Sequence, residues 1–306
     1  MPASNDAHSF ALINPYWIKT MSETAYQPDV SHVHQASLIS STRLTPDDSA
    51  EVRQIVLQVS EPAYYFPEGQ SIGVSVPGPH PFGNKAHHRY YTLAAVHGNK
   101  AGAELEILVR RCFYIDEVSG EEYPGIASNY LCDAQPGDAV TLTGPYRSPF
   151  IIPADKTSNL LMLGVGTGIA PFRAFLRRIY EMEGGWQGQV RLYYGARTGM
   201  DMLYMNELNN DLANYYDQAT FQAIQSVSKG YFGDEADALK QGVEAHGVAI
   251  WQLIQDPRTH VYLAGMDTVA AAFEAAMAGI AGSQEAWQAV RQRLVDEGRW
   301  AALTYS

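Results

Sequence analysis

The sequence predicts two domains, an antiparallel β half followed by an α/β half, and three observations carry that prediction. The first is length: 306 residues exceed what a single hydrophobic core usually serves. The second is a set of short β-like runs, Val52 to Val59, Ile72 to Val76, Tyr90 to Val96, Leu105 to Val109 and Val140 to Leu142. Pro67-Glu68-Gly69, Gly98-Asn99 and Pro136-Gly137-Asp138 separate them as turns, the spacing of a closed antiparallel barrel or a sandwich. The third is a change of pattern after Pro153, where strand and helix begin to alternate.

In the second half Leu160-Leu161-Met162-Leu163 is a continuous apolar run, as in a parallel strand buried on both faces. A glycine turn follows, and Pro171 suits a first helical position. Phe172, Phe175, Leu176 and Ile179 fall at helical spacing, with Arg173, Arg177 and Arg178 elsewhere on the cylinder, until Gly184-Gly185 stops the helix. Further strands are expected at Val190 to Tyr194, Phe221 to Ile224 and His260 to Ala264. Helices are expected at about Val243 to Ile254, Val269 to Ile280 and Glu285 to Val295. Residues 1–30 contain Pro2, Pro15 and Pro28 and show no clean period, so they read as an extension, with domains at 31–153 and 154–306.

Composition excludes several function classes. Hydrophobic residues at 46% and charged residues at 18% describe a folded enzyme rather than a disordered chain. No apolar run reaches membrane-spanning length and no secretory leader is read at the N-terminus, so the expectation is a cytoplasmic protein without a membrane span. A net charge of −12 argues against nucleic acid as a partner. Cys112 and Cys132 match neither a disulfide framework nor a metal site, and two thiolates cannot hold an iron–sulfur cluster. No GxSxG hydrolase motif occurs. The His32, His34 pair and the adjacent His87 and His88 lack companions at metal-ligand spacing, so no metal is expected.

Gly164-Val165-Gly166-Thr167-Gly168-Ile169-Ala170-Pro171 joins the first α/β strand to its helix. Glycines there admit a ligand close to the backbone, and the helix N-terminus offers unpaired N–H groups to a pyrophosphate. The spacing is neither GxGxxG nor a P-loop, and the alternative is a tight strand-to-helix turn.

Six segments in order extend the pattern: Glu68 to Gly73, Arg89-Tyr90-Tyr91-Thr92, Gly125 to Leu131, Pro136-Gly137-Asp138, Gly166 to Pro171, and Gly298-Arg299-Trp300. Together they resemble the plant and cyanobacterial type of ferredoxin–NADP reductase over about residues 35 to 305. The resemblance implies an N-terminal antiparallel β-barrel that binds FAD and a C-terminal α/β parallel-sheet domain that binds NADH or NADPH. It implies that Arg89 holds the FAD pyrophosphate, that Tyr90 and Tyr91 line the flavin site, and that Thr92 presents a hydroxyl near flavin N5. Leu108 and Arg110 would lie on the strand lining the ring, Tyr114 on the adenine, and Gly125, Ile126, Ala127 and Ser128 at the pyrophosphate. Gly166, Thr167, Gly168, Gly195, Ala196, Gly265 and Met266 would surround the nicotinamide, and Tyr305 would cover the flavin until nicotinamide displaces it. Thr92, Thr167 and Tyr305 are the implied catalytic residues.

Four departures from the family stand out. Ala264 replaces a Cys beside the nicotinamide, Leu303 replaces a Glu, and Ser306 follows the usually terminal Tyr. At the 2′-phosphate positions stand Gln225, Ser226, Ala236 and Ala238, near Asp234, Glu235 and Asp237, with Lys229 the nearby cation. A dianion needs cations or several donors, so NADH is the expected donor. The implied partner is a ferredoxin or another one-electron carrier, such as an oxygenase component. Lys85, Arg89, Lys100, Arg110 and Arg111 could form a basic patch for it, or be ordinary solvated charges and phosphate ligands. A diaphorase acting on quinones and a non-catalytic flavoprotein subunit are the alternative functions.

Overall fold

The computed structural model describes residues 32–60, 69–80, 84–99, 102–116, 119–229 and 233–305. The N-terminal extension, Pro67 and Glu68, Lys100 and Ser306 lie outside the described residues. Six antiparallel strands close a barrel: β1 (Val33–Arg43), β2 (Val52–Val59), β3 (Ser71–Pro77), β4 (Ala86–Asn99), β5 (Gly102–Arg110) and β8 (Ala139–Tyr146). Their order is β1-β2-β5-β4-β3-β8, with β8 returning to β1. Closure removes the free edges that six short strands would otherwise expose. Leu38, Ile55, Leu57, Ile72, Leu93, Leu105, Ile107 and Leu142 fill the interior. A small ribbon, β6 (Phe113–Ile115) with β7 (Glu122–Pro124), and the helix α1 (Ile126–Asp133) connect β5 to β8.

The second half is a five-stranded parallel sheet in the order β11-β10-β9-β12-β13. Its strands are β9 (Asn159–Val165), β10 (Val190–Ala196), β11 (Phe221–Val227), β12 (Thr259–Met266) and β13 (Trp300–Tyr305). Five helices flank it: α2 (Ile169–Arg177), α3 (Glu235–Ala245), α4 (Gly247–Gln255), α5 (Asp267–Ala281) and α6 (Gln284–Asp296). Every residue of β9 is buried, as its unbroken apolar run requires.

Several elements differ from the sequence expectation, each for a physical reason. The strand β1 is absent from the runs expected from sequence, because His34, Gln35, Ser37, Ser40 and Ser41 dilute the apolar alternation of buried Ala36 and Leu38. The expected helix from Val243 breaks at His246 into α3 and α4. Gly247 allows the close packing there, since a Cβ on it would lie 2.8 Å from the Ile280 side chain. Pro171 is the third residue of α2 rather than the first, because a single 3₁₀ turn, Gly166–Gly168, leads into the helix. It still falls among the orphan N–H positions, so no hydrogen bond is lost.

The largest correction concerns Arg173. The sequence places it on the polar side of α2, but that helix lies between sheet and barrel, and its residues Ile169 to Leu176 are all buried. Arg173 donates to Glu106 Oε2 on β5 at 2.8 Å, to Asp211 Oδ2 at 2.6 Å and to the Ala94 carbonyl of β4 at 3.4 Å. Its guanidinium also lies 4.7 Å from the Tyr204 ring centroid. Around this network Leu44, Val52, Ala94, Leu108 and Phe150 pack with Ile169, Phe172, Phe175, Tyr204 and Met205 in one apolar cluster. Tyr204 donates to Gln54 at 2.9 Å and Asn206 to the Leu44 carbonyl at 3.3 Å. Barrel and sheet therefore share an apolar interface with a largely buried charge network inside it. Removing one partner of such a buried network typically costs ~3–5 kcal/mol, because the others stay buried and uncompensated.

Candidate functional site

The order of the parallel sheet sets the site. The chain runs outward from β9 to β10 and β11, then returns to place β12 and β13 on the other side. Loops leaving β9 and β12 turn opposite ways, which opens a crevice at their carboxyl ends, the usual ligand position in such sheets. Gly166 to Gly168 follow β9, Gly195 and Ala196 end β10, Gly265 and Met266 end β12, and Tyr305 ends β13 beside Met266. The crevice therefore gathers most of the nucleotide residues expected from sequence.

Their roles divide. Gly166 has φ +51°, and a Cβ on it would meet only the Tyr305 hydroxyl at 4.0 Å, so its open side faces the crevice. Gly168 is instead a packing glycine: a Cβ there would lie 2.3 Å from the Ala264 carbonyl. Ala196 is buried and serves the core. Thr167 Oγ1 and the Tyr305 hydroxyl are hydrogen-bonded at 2.5 Å, and Tyr194 donates to the Gly166 carbonyl at 2.7 Å. Tyr194 was not expected from sequence; its buried ring within an apolar strand gives no signal of a hydroxyl directed at the turn. Burial holds the Tyr305 phenol above its usual range, so it stays neutral and able to donate.

The barrel supplies the facing wall. Tyr91 packs against the barrel core beside Leu93, while Thr92 lies on the opposite face of β4, the one that Ala94 turns toward the α/β half. Burial raises the Tyr91 phenol, and Cys112 and Arg89 both act on it electrostatically. Arg110, at the end of β5, reaches across the crevice to the Met266 sulfur at 3.4 Å, beside Tyr305. Tyr90 lies to one side, with its ring edge-on to His88 and Tyr146 at 4.9 and 4.8 Å. Leu108 is buried in the shared apolar cluster.

Gly125 is the N-cap of α1, and Ile126, Ala127 and Ser128 form its first turn rather than a loop. Ala127 and Ser128 are buried; Ser128 Oγ accepts from the Cys112 N–H at 3.1 Å and donates to the Gly125 carbonyl at 3.3 Å. No side chain caps this helix and no acidic residue occupies its first turn, so its N–H groups are available to an anion. Beside it Tyr114 and Tyr123 stack at 5.5 Å on the β6–β7 ribbon, whose six residues are all exposed. Exposed aromatic rings, one of them two residues before an uncapped helix N-terminus, are a set that an adenine dinucleotide such as FAD would fit. Tyr123 is a site residue that the sequence reading missed, although its place two residues before Gly125 is a usable signal.

Two of the five cations named for a basic patch have carboxylate partners, Lys85 is exposed and Lys100 lies outside the described residues. Arg111 is tied to Glu51, Asn129 and Asp133 at 2.7 to 2.8 Å, and Arg110 pairs with Glu235 at 3.3 Å. These two cations answer local carboxylates. Among the described residues no cluster of three or more His, Cys, Asp or Glu could hold a metal, and no helix is long and apolar enough to cross a membrane.

Comparison with known proteins agrees with this geometry. Residues 162–275 match the oxidoreductase NAD-binding domain family. A ferredoxin–NADP reductase of Thermosynechococcus vestitus is 34% identical over 263 residues, 83% of this chain and 68% of that protein. The cyanelle ferredoxin–NADP reductase of Cyanophora paradoxa is 34% identical over 248 residues, 78% of this chain and 67% of that protein. The ferredoxin–NADP reductase of Plasmodium falciparum shares the fold with a TM-score of 0.67 at 17% identity, covering 92% of this chain and 98% of the other. The barrel, the crevice at the sheet's switch point and these similarities together show that the chain belongs to the ferredoxin–NADP reductase family.

Proposed function

We propose that this protein is an FAD-dependent oxidoreductase that accepts a hydride from a reduced nicotinamide dinucleotide and passes electrons singly to a separate carrier such as ferredoxin. The observation that carries the proposal is that Thr167 and Tyr305, hydrogen-bonded at the carboxyl end of the sheet, lie beside Met266, which Arg110 of the barrel reaches at 3.4 Å across the crevice. Bound FAD supplies the step between a two-electron donor and a one-electron acceptor. Arg89 and the α1 N-terminus would hold its pyrophosphate through charge-assisted hydrogen bonds, and Tyr114 would take the adenine. Thr92 offers a hydroxyl on the side of β4 facing the sheet. Tyr305 occupies the nicotinamide position and is kept there by its bond to Thr167.

Ala264 and Leu303 are cross-strand neighbours on β12 and β13, so the two family positions that carry Cys and Glu form one apolar spot here. Proton handling therefore falls to the hydroxyls of Thr92, Thr167 and Tyr305. The unpaired Cys112 and Cys132 fit a reducing compartment, and we place the protein in the cytoplasm. NADH is the favoured donor on this reading. Ala236 and Ala238 are buried in α3, and its N-cap Asp234 with Glu235 and Asp237 of its first turn outnumber the exposed cations Arg197 and Lys229 that follow β10 and β11.

Three expected outcomes follow from this site. Denaturing extraction of the purified protein releases FAD, and Arg89→Ala lowers flavin retention by the equivalent of ~1.5–3 kcal/mol, the cost of a lost charged hydrogen bond; recovery of FMN, or undiminished flavin in the variant, contradicts the assignment. Tyr305→Ser removes a stacked ring worth roughly 0.5–1.5 kcal/mol, so NAD⁺ binds more tightly and the flavin absorption bands shift, whereas Tyr305→Phe changes both little. An unchanged spectrum and affinity in Tyr305→Ser makes the ring a packing residue. Steady-state assays with both donors give a kcat/KM for NADH at least equal to that for NADPH; a large NADPH preference overturns the charge argument.

A further inference from the structure

Arg110 and Glu235 come from opposite sides of the crevice. Arg110 ends β5 of the barrel, Glu235 opens α3 of the sheet domain, and Nη1 lies 3.3 Å from Oε1. The same nitrogen lies 3.4 Å from the Met266 sulfur at the end of β12. The Glu235 side chain is only 13% exposed and that of Arg110 31%, so water screens the pair incompletely.

Glu235 is held in place by its backbone. Gly195, at the carboxyl end of β10, has no side chain to keep α3 away: a Cβ there would lie 2.4 Å from the Glu235 carbonyl. The first turn of α3 is fixed further by Asp234 and Asp237, which cap each other's backbone N–H groups. Those two carboxylates are committed to the cap, while Glu235 reaches across to the barrel.

A dinucleotide with its nicotinamide end at Thr167 and Tyr305 must extend the other way, across the carboxyl ends of β9, β10 and β11. The Arg110–Glu235 bridge spans that path. Phosphate oxygens compete strongly for a guanidinium, since they offer the planar acceptor geometry that it matches. We infer that Glu235 is a built-in competitor of the nicotinamide nucleotide: it holds Arg110 in the free protein, and the ion pair breaks as the nucleotide binds. This rests on the reading of the crevice as the nicotinamide site. It makes Glu235 a determinant of nucleotide affinity that acts through Arg110.

The test titrates the flavin-loaded protein with NAD⁺ and NADP⁺, which bind without reducing the flavin, and follows the flavin difference spectrum. Glu235→Gln keeps the shape and removes the charge, so both nucleotides bind more tightly, on the order of fivefold for a partly buried ion pair. Arg110→Gln weakens both. Adding Glu235→Gln to Arg110→Gln has no further effect, because the pair is already broken. Three results overturn the inference: unchanged affinities in Glu235→Gln, weaker binding of NAD⁺ alone, which makes Glu235 a ribose ligand, or equal tightening with and without Arg110, which makes it a general repulsive charge. If neither nucleotide perturbs the spectrum of any of these proteins, the nicotinamide reading of the crevice falls, and the competitor role with it.

Discussion

The position of one buried cation determines how the two halves of this molecule meet. Arg173 lies inside the interface between sheet and barrel, answered by Glu106 from one side and Asp211 from the other. An isolated charge in that place would be unfavourable by several kcal/mol, and the three groups together are tolerable only in one arrangement. Directional ion pairs therefore fix what the surrounding apolar contacts of Phe150, Phe172 and Phe175 leave free to slide. The helix that carries Arg173 begins at the glycine turn, so fixing the helix against the barrel also fixes Thr167 and, through it, Tyr305.

Neither half holds a complete site. The barrel offers an anion-binding helix end, an arginine and exposed aromatic rings, a set suited to a flavin dinucleotide. The sheet offers a switch-point crevice and a tyrosine that fills it. Electron transfer requires these surfaces at a fixed separation, and that separation is set by the Arg173 network and by Tyr204 and Asn206 reaching back to the barrel. The pairing of Arg110 with Glu235 crosses the same boundary at the mouth of the crevice, where a ligand can break it. One cross-domain ion pair is thus buried and structural, and the other is marginal and open to competition.

Much of this was legible in the sequence wherever a residue's neighbours along the chain define its environment. The apolar run of β9, the glycine turn and the helical spacing of Phe172, Phe175 and Leu176 all report local burial. Arg173 does not, because a charged residue in an amphipathic pattern reads as solvated, and its partners lie 67 and 38 residues away. The same limit hid the pairing of Arg110 with Glu235 and of Arg111 with Glu51 and Asp133. Strand β1 was obscured by serines that a barrel wall tolerates on its outward face. The replacement of Cys and Glu by Ala264 and Leu303 was visible as two separate departures, and only the register of β12 with β13 shows that they are one.

The central claim is that the Arg173 network positions the sheet's nicotinamide against the barrel's flavin. Anaerobic rapid mixing of flavin-loaded protein with NADH, under conditions where both proteins are folded, measures this directly in the wild type and in Arg173→Met. The account predicts prompt bleaching of the flavin band in the wild type. In the variant, with the flavin still bound, it predicts bleaching slowed by on the order of 100-fold, as misplacement of reacting groups by about 1 Å can produce. Bleaching of the flavin-replete variant at the wild-type rate would contradict it.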